Sequence, residues 1–158
     1  MKKQPALSAA HCQVLQQPFY QFAQMKQFAP DSIESVKAQY RAAWTDWRDF
    51  VLAVQAALAA QGIVFAAPHI ERWCNGWQVR AHFFAFFKLP GFERDAPILS
   101  LILNRQRFTV SLDWHAYKAA QSHISLAQYH QWLDQIGQPQ WADWDLWRGK
   151  DSEYAEHN

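Results

Sequence analysis

Polar side chains recur at alternate positions in two stretches of this chain. Gln78, Arg80 and His82 form one set; Arg107, Thr109, Ser111, Asp113 and His115 form the other. If both stretches are strands, the two-residue period puts each set on one side. Several chemistries are then open. His82 and His115, with Asp113, would serve as general acid and base beside the phosphate-holding cations Arg80 and Arg107, as a metal-independent phosphodiesterase or ribonuclease requires. The same His82, Asp113 and His115 would alternatively form a two-histidine, one-carboxylate metal site. A third reading is binding alone: Arg80, Arg107 and Lys88 hold a nucleic-acid backbone, Phe84 and Phe86 stack bases, and Gln78 and Ser111 add hydrogen bonds. Against all three stands a structural explanation, cross-strand polar pairs beneath the C-terminal Trp-rich segment, with Asp113 paired to an arginine.

Missing motifs narrow the field. The five glycines (Gly62, Gly76, Gly91, Gly137, Gly149) compose neither a G-x-G-x-x-G nor a P-loop, which excludes a Rossmann-type NAD(P)-dependent dehydrogenase. There is no G-x-S-x-G, no H-E-x-x-H and no zinc-finger spacing of His and Cys. No cofactor and no resident metal is expected. The sequence favours binding of an anionic ligand, nucleic acid or a phosphorylated small molecule, on a basic, His-bearing sheet face. The acid–base phosphodiesterase is the alternative.

The elements that must position these residues follow from periodicity. Leu7 to Gln16 suits a short helix ended by Pro18. Pro30-Asp31-Ser32 opens a long helix, with Asp31 or Ser32 as the expected N-cap acceptor. Ile33, Val36, Tyr40, Trp44, Trp47, Val51, Val54 and Leu58 then draw one apolar stripe to Gly62. Ile63–Phe65 reads as a short strand, and Ile70–Cys74 and Trp77–Lys88 as a hairpin turning at Asn75-Gly76. Trp77, Val79, Ala81, Phe83, Ala85 and Phe87 share its buried side. Two further strands, Pro97–Asn104 and Arg107–His115, turn at Arg105-Gln106; Phe108, Val110, Leu112 and Trp114 form the last strand's core side. Ser125 and Gln128 form a capping box for a helix over 125–136. The expectation is one α+β domain over 1–158: helical 5–61, an antiparallel sheet of four to five strands over 63–115, a helix at 125–136, and a Trp-rich polar tail at 138–158. The helices pack on one sheet face, leaving the face with Arg80, His82, Asp113 and His115 open.

Composition adds bounds. Aromatic residues make up 16% of the chain and formal net charge is +1, so no global charge directs it to nucleic acid or anionic membrane. The distribution is uneven: seven Lys and Arg face four carboxylates from His69 to Lys118, and two face five from Trp141 to Asn158. No apolar run approaches the ~18 residues of a membrane span. Cys12 and Cys74 are far apart, which with no recognisable signal sequence points to reduced thiols and a cytoplasmic location. Trp141, Trp144 and Trp147 offer a further reading, an interaction segment that docks a partner or closes a homodimer.

The stretch Ala67-Pro68-His69-Ile70-Glu71-Arg72-Trp73-Cys74-Asn75-Gly76-Trp77-Gln78-Val79-Arg80-Ala81-His82-Phe83, with Ile98–Asn104 and Val110–Tyr117, resembles a small bacterial family. Its members carry the label "glucose-6-phosphate 1-dehydrogenase family protein". The resemblance runs from Phe19-Tyr20-Gln21-Phe22 to the final helix and implies a uniform bacterial domain without prescribing catalytic residues. The label itself demands a nucleotide-binding βαβ unit and a separate substrate domain, for which this chain has neither the length nor the glycines.

Overall fold

The apolar stripe that begins at Ile33 produces the dominant element of the computed structural model, which describes residues 3–144. Helix α3 spans Ile33–Ala60, 28 residues and about 42 Å. Val36, Tyr40, Ala43, Trp47 and Val51 are its buried positions, three or four apart as one helical face requires. Its C-terminus follows expectation. Gly62 takes φ +83, and the N–H groups of Gly62 and Ile63 donate to the Ala59 and Leu58 carbonyls, the paired bonds of a Schellman motif. The N-terminus does not. No side chain caps it; Ser32 Oγ instead donates to the Ala29 carbonyl at 2.7 Å, so Pro30–Ser32 forms a 3-10 turn leading into the helix. Two short helices precede it, α1 (Ala9–Val14) and α2 (Phe22–Phe28).

Four strands, β1 (His69–Ile70), β2 (His82–Phe87), β3 (Pro97–Asn104) and β4 (Phe108–Trp114), form one sheet in that order. Every pairing is antiparallel, so the fold is α+β. The register aligns Phe83 with Leu103 and Phe108, and Ala85 with Leu101 and Val110. That face meets α3: the Phe83 ring lies 6.0 Å from Tyr40 and 6.3 Å from Trp47. Each such buried side chain contributes roughly 1.5–3 kcal/mol. The cover is incomplete at β4, the sheet edge. Phe108 touches Phe50 and Trp47, yet Val110 and Leu112 stay 42% exposed, so the expected core side of β4 is only half buried.

The opposite face departs from expectation too. Ser100, Ile102, Asn104 and Ser111 are all buried, so the central strand of this face is closed to solvent, while His82, Phe84 and Phe86 on β2 and Thr109 and Asp113 on β4 stay half-buried beside it. The apolar run of β3 already carries the reason: a strand buried on both sides needs no alternation.

The hairpin at Asn75-Gly76 is wider than a two-residue turn. Cys74 bridges Val79, the Asn75 amide donates to the Gln78 carbonyl, and Asn75 Oδ1 accepts from the Trp77 and Gln78 amides. Only Gly76 has positive φ, +97, whereas the two-residue turn favoured by Asn-Gly needs two such residues. A third chain segment explains it. The Phe22 amide donates to the Trp77 carbonyl and the Val79 amide to the Tyr20 carbonyl, which draws residues 77–79 away from a tight turn and leaves Trp77 56% exposed. The pairing shifts by two residues, an even number, and so Arg80 and His82 keep the predicted side.

Two other expectations yield. Ile63–Phe65 forms no strand; Phe65 is held by the Phe87 ring at 5.4 Å and Ala66 by one bond to the Lys88 carbonyl. The capping box forms, with Ser125 and Gln128 exchanging bonds of 2.8 and 3.1 Å, but helix α4 covers only Leu126–Tyr129 before becoming a 3-10 turn over His130–Gln135. His130, Trp132 and Asp134 are indifferent helix formers, and exposed Leu126 and Leu133 supply little packing to hold the rest. Trp147 and the polar end beyond it lie outside the described residues.

Candidate functional site

Beside the sheet, a groove of about 930 Å³ follows β1 and the chain beyond it to the turn. Its walls are Trp44 on α3 and the run His69–Gly76, with Arg80 reaching in from the facing segment. The apolar stripe explains one wall, because it carries Trp44 to the helix margin, where its indole Nε1 donates to the Glu71 carbonyl at 2.8 Å. Tyr40 explains another: fully buried, it donates its hydroxyl to the Arg80 carbonyl at 2.8 Å and holds that backbone against the core. Burial pushes the Tyr40 phenol well above its usual range, so it remains a donor at any physiological pH.

Cations surround this groove. Arg72 and Arg80 line it, while the guanidinium of Arg41 lies 5.5 Å from the Trp73 ring and that of Arg48 lies 5.6 Å from the Trp44 ring. Arg48 is paired with Asp49 at 3.2 Å. Glu71 is the single carboxylate among the lining residues. Its Oε1 meets Arg80 Nη1 at 2.9 Å, and its Oε2 is 3.9 Å from His82 Nε2. Arg80 Nε is buried with no hydrogen-bond partner among the described residues. Aromatic walls under arginines suit a flat ring carrying negative charge, and the volume matches a small-molecule site.

The residues singled out by alternation are placed unevenly. Arg80 and His82 come together around Glu71. His115 lies elsewhere: its ring is 5.1 Å from Phe86, and Phe86 is four residues along β2 from His82, about 13 Å. The structure does not bring the two histidines together, so they cannot act as acid and base on one bond. Asp113 is in register with Ile98 and accepts from the Trp114 amide. It also lies beside Tyr129, whose phenol is pushed up to about 12 by burial and then by this carboxylate. No group of three or more His, Cys, Asp or Glu among the described residues is placed to hold a metal. Arg107 flanks the Arg105-Gln106 turn, its amide donating to Asn104 Oδ1 at 2.8 Å. Ser111 is buried, so it is not presented to a ligand as expected; the backbone of Gln78 is tied into the turn at Asn75, and its side chain is half-buried.

A second cluster gathers where the sheet ends. His69 stacks on Phe86 at 4.9 Å, and His115 lies 5.8 Å from Tyr117. Burial lowers the His115 pKa, and Lys88, Lys118 and His69 push it the same way against Asp113 alone. Lys88 is buried, and its Nζ donates to the Glu93 and Asp95 carbonyls; burial, then Lys118, lowers its pKa too. A Ser8–His11–Asp46 chain of contacts, 3.1 and 2.9 Å, has a complete structural explanation. The Ser8 amide also donates to His11 Nδ1, as in a capping box, and Asp46 ties α1 to α3.

Alternation could not find Trp44, Trp73, Arg41, Arg48 and Arg72. Arg41, Trp44 and Arg48 lie on α3 and Arg72 and Trp73 in an irregular segment, and only tertiary packing gathers them. The cation excess around His69–Lys118 was the one available signal.

A protein-family model matches residues 7–158. An uncharacterized protein of Haemophilus influenzae is 50% identical over 151 residues, which cover 96% of this chain and 72% of that protein. No solved structure matches. No helix among the described residues is long and apolar enough to cross a membrane. The chain belongs to the bacterial protein family whose model spans residues 7–158 and shares half its residues with the H. influenzae protein over nearly its whole length.

Proposed function

We propose that the chain binds an anionic, ring-bearing ligand, a nucleic acid or nucleotide, in the groove along β1. The observation that carries this reading is the pairing of the Trp44 and Trp73 walls with Arg41, Arg48, Arg72 and Arg80, where Glu71 is the one carboxylate lining the groove. Phosphate oxygens satisfy guanidinium donors in a fork geometry that a lysine cannot offer. A base stacks on an indole without hydrogen-bond readout, so sequence preference is weak.

The test is a fluorescence-anisotropy titration with a labelled single-stranded oligothymidylate, competed with ATP. Binding should weaken with salt in proportion to the phosphates neutralised. Arg72→Ala combined with Trp73→Ala should remove most of it, stacking alone accounting for about 1–3 kcal/mol per base. Salt-independent binding, or binding intact in the double variant, refutes the reading.

A further inference from the structure

The groove does not stop at β1. His69 lines it and also opens a ladder of rings that runs from β1 over β2 to the segment after β4: His69 on Phe86, Phe86 against His115, His115 against Tyr117. Phe86 is in register with Ser100 on β3, and Ser100 with Ser111 on β4. His115 follows the end of β4, where its amide donates to the Ala96 carbonyl, and its ring comes back over β3 to within 5.1 Å of Phe86. Tyr117 ends the ladder 92% exposed, with Lys118 beside it.

We infer that the ligand is a single strand of nucleic acid, bound first in the groove and then along the His69–Phe86–His115–Tyr117 ladder to Lys118. This rests on the anion-binding reading of the groove and extends it. The groove is lined without a break from Gly76 to His69, and three strand spacings beyond it add about 14 Å. A mononucleotide fills a fraction of that length. A single strand, whose footprint on one small fold is roughly 4–16 nucleotides, fills it all. Charge supports the continuation. Lys88, Lys118 and His69 all act on His115, with Asp113 the one carboxylate opposing them, so the ladder has the sign of the groove. Lys88 is tied internally to the Glu93 and Asp95 carbonyls, which leaves Lys118 to meet a phosphate and Tyr117 to meet a base.

The experiment compares oligothymidylates of about four and about twelve nucleotides, lengths that bracket the smaller footprints, on the wild type and on Tyr117→Ala with Lys118→Ala. Both substituted side chains lie outside the core, and circular dichroism checks the fold. The longer strand should bind about a hundredfold tighter than the shorter, beyond the roughly tenfold that additional binding registers supply. The double variant should lose that surplus and keep its affinity for the short strand. Equal affinity per register, or a surplus that survives the double variant, overturns the ladder and leaves the groove standing. Failure of both lengths to bind overturns the groove reading, and the ladder with it.

Discussion

Substituting Glu71 by Gln should strengthen binding, a direction that few surface carboxylates would give. Glu71 occupies Arg80 Nη1 at 2.9 Å and lies 3.9 Å from His82. Any phosphate in the groove must compete with it for Arg80 and be repelled by it. Glutamine keeps the shape and an acceptor oxygen while removing the charge. Side-chain exposures of 23% for Glu71 and 28% for Arg80 mean that solvent screens the pair, so its loss should cost stability no more than about 1 kcal/mol. The effect on binding is larger. Two negative charges about 6 Å apart repel by roughly 0.7–3 kcal/mol for effective dielectrics between water and a protein surface. Screening at physiological salt favours the lower end, about 1 kcal/mol or fivefold tighter binding. Anisotropy titrations of wild type and Glu71→Gln at two ionic strengths measure it, with urea midpoints to check stability. Weaker binding in a stably folded Glu71→Gln would mean that the carboxylate is itself a ligand group, and the reasoning fails.

Three further outcomes follow from the same contacts. Tyr40→Phe removes the donor to the half-buried Arg80 carbonyl and should cost about 1–3 kcal/mol by urea unfolding. Leu101→Ala should cost about 2–5 kcal/mol because Leu101 is 2% exposed. Leu112→Ala, on the half-covered edge, should cost under about 1 kcal/mol; equal losses would show that β4 is as buried as β3. His115 has a lowered folded pKa, so on acidification the unfolded chain takes up its proton first. The stability His115 contributes is complete above the unfolded value of ~6.5. It declines as pH falls from there toward the folded pKa. His115→Gln should flatten the pH dependence of the urea midpoint in that window, and an unchanged slope would contradict the placement of His115 among cations.

The long helix, the four-stranded antiparallel order, the Arg105-Gln106 turn and the Ser125/Gln128 box are all legible in local pattern, because periodicity and turn chemistry act over a few residues. What local pattern cannot show is cover. Nothing within Pro97–Asn104 says whether its second face meets solvent, and Ser100 and Asn104 are buried there although alternation left that side open. The turn at Asn75-Gly76 shows the same limit. Its residues favour a tight loop, but pairing of residues 77–79 with Tyr20 and Phe22 overrides that preference. The even shift that results is why Arg80 and His82 were still assigned to the right side. The groove was out of reach for a related reason: Trp44 and Trp73 are 29 positions apart, and no spacing rule joins them.

Where a ligand sits is the most direct test of the groove. Nine Trp give nine indole N–H signals in a nitrogen–proton correlation spectrum, assignable by single Trp→Phe substitutions. Adding a single-stranded oligothymidylate should shift the signals of Trp44 and Trp73 and leave that of Trp47, sealed in the core, in place. Shifts confined to Trp114, Trp132 and Trp141, with Trp44 and Trp73 unmoved, would contradict the account.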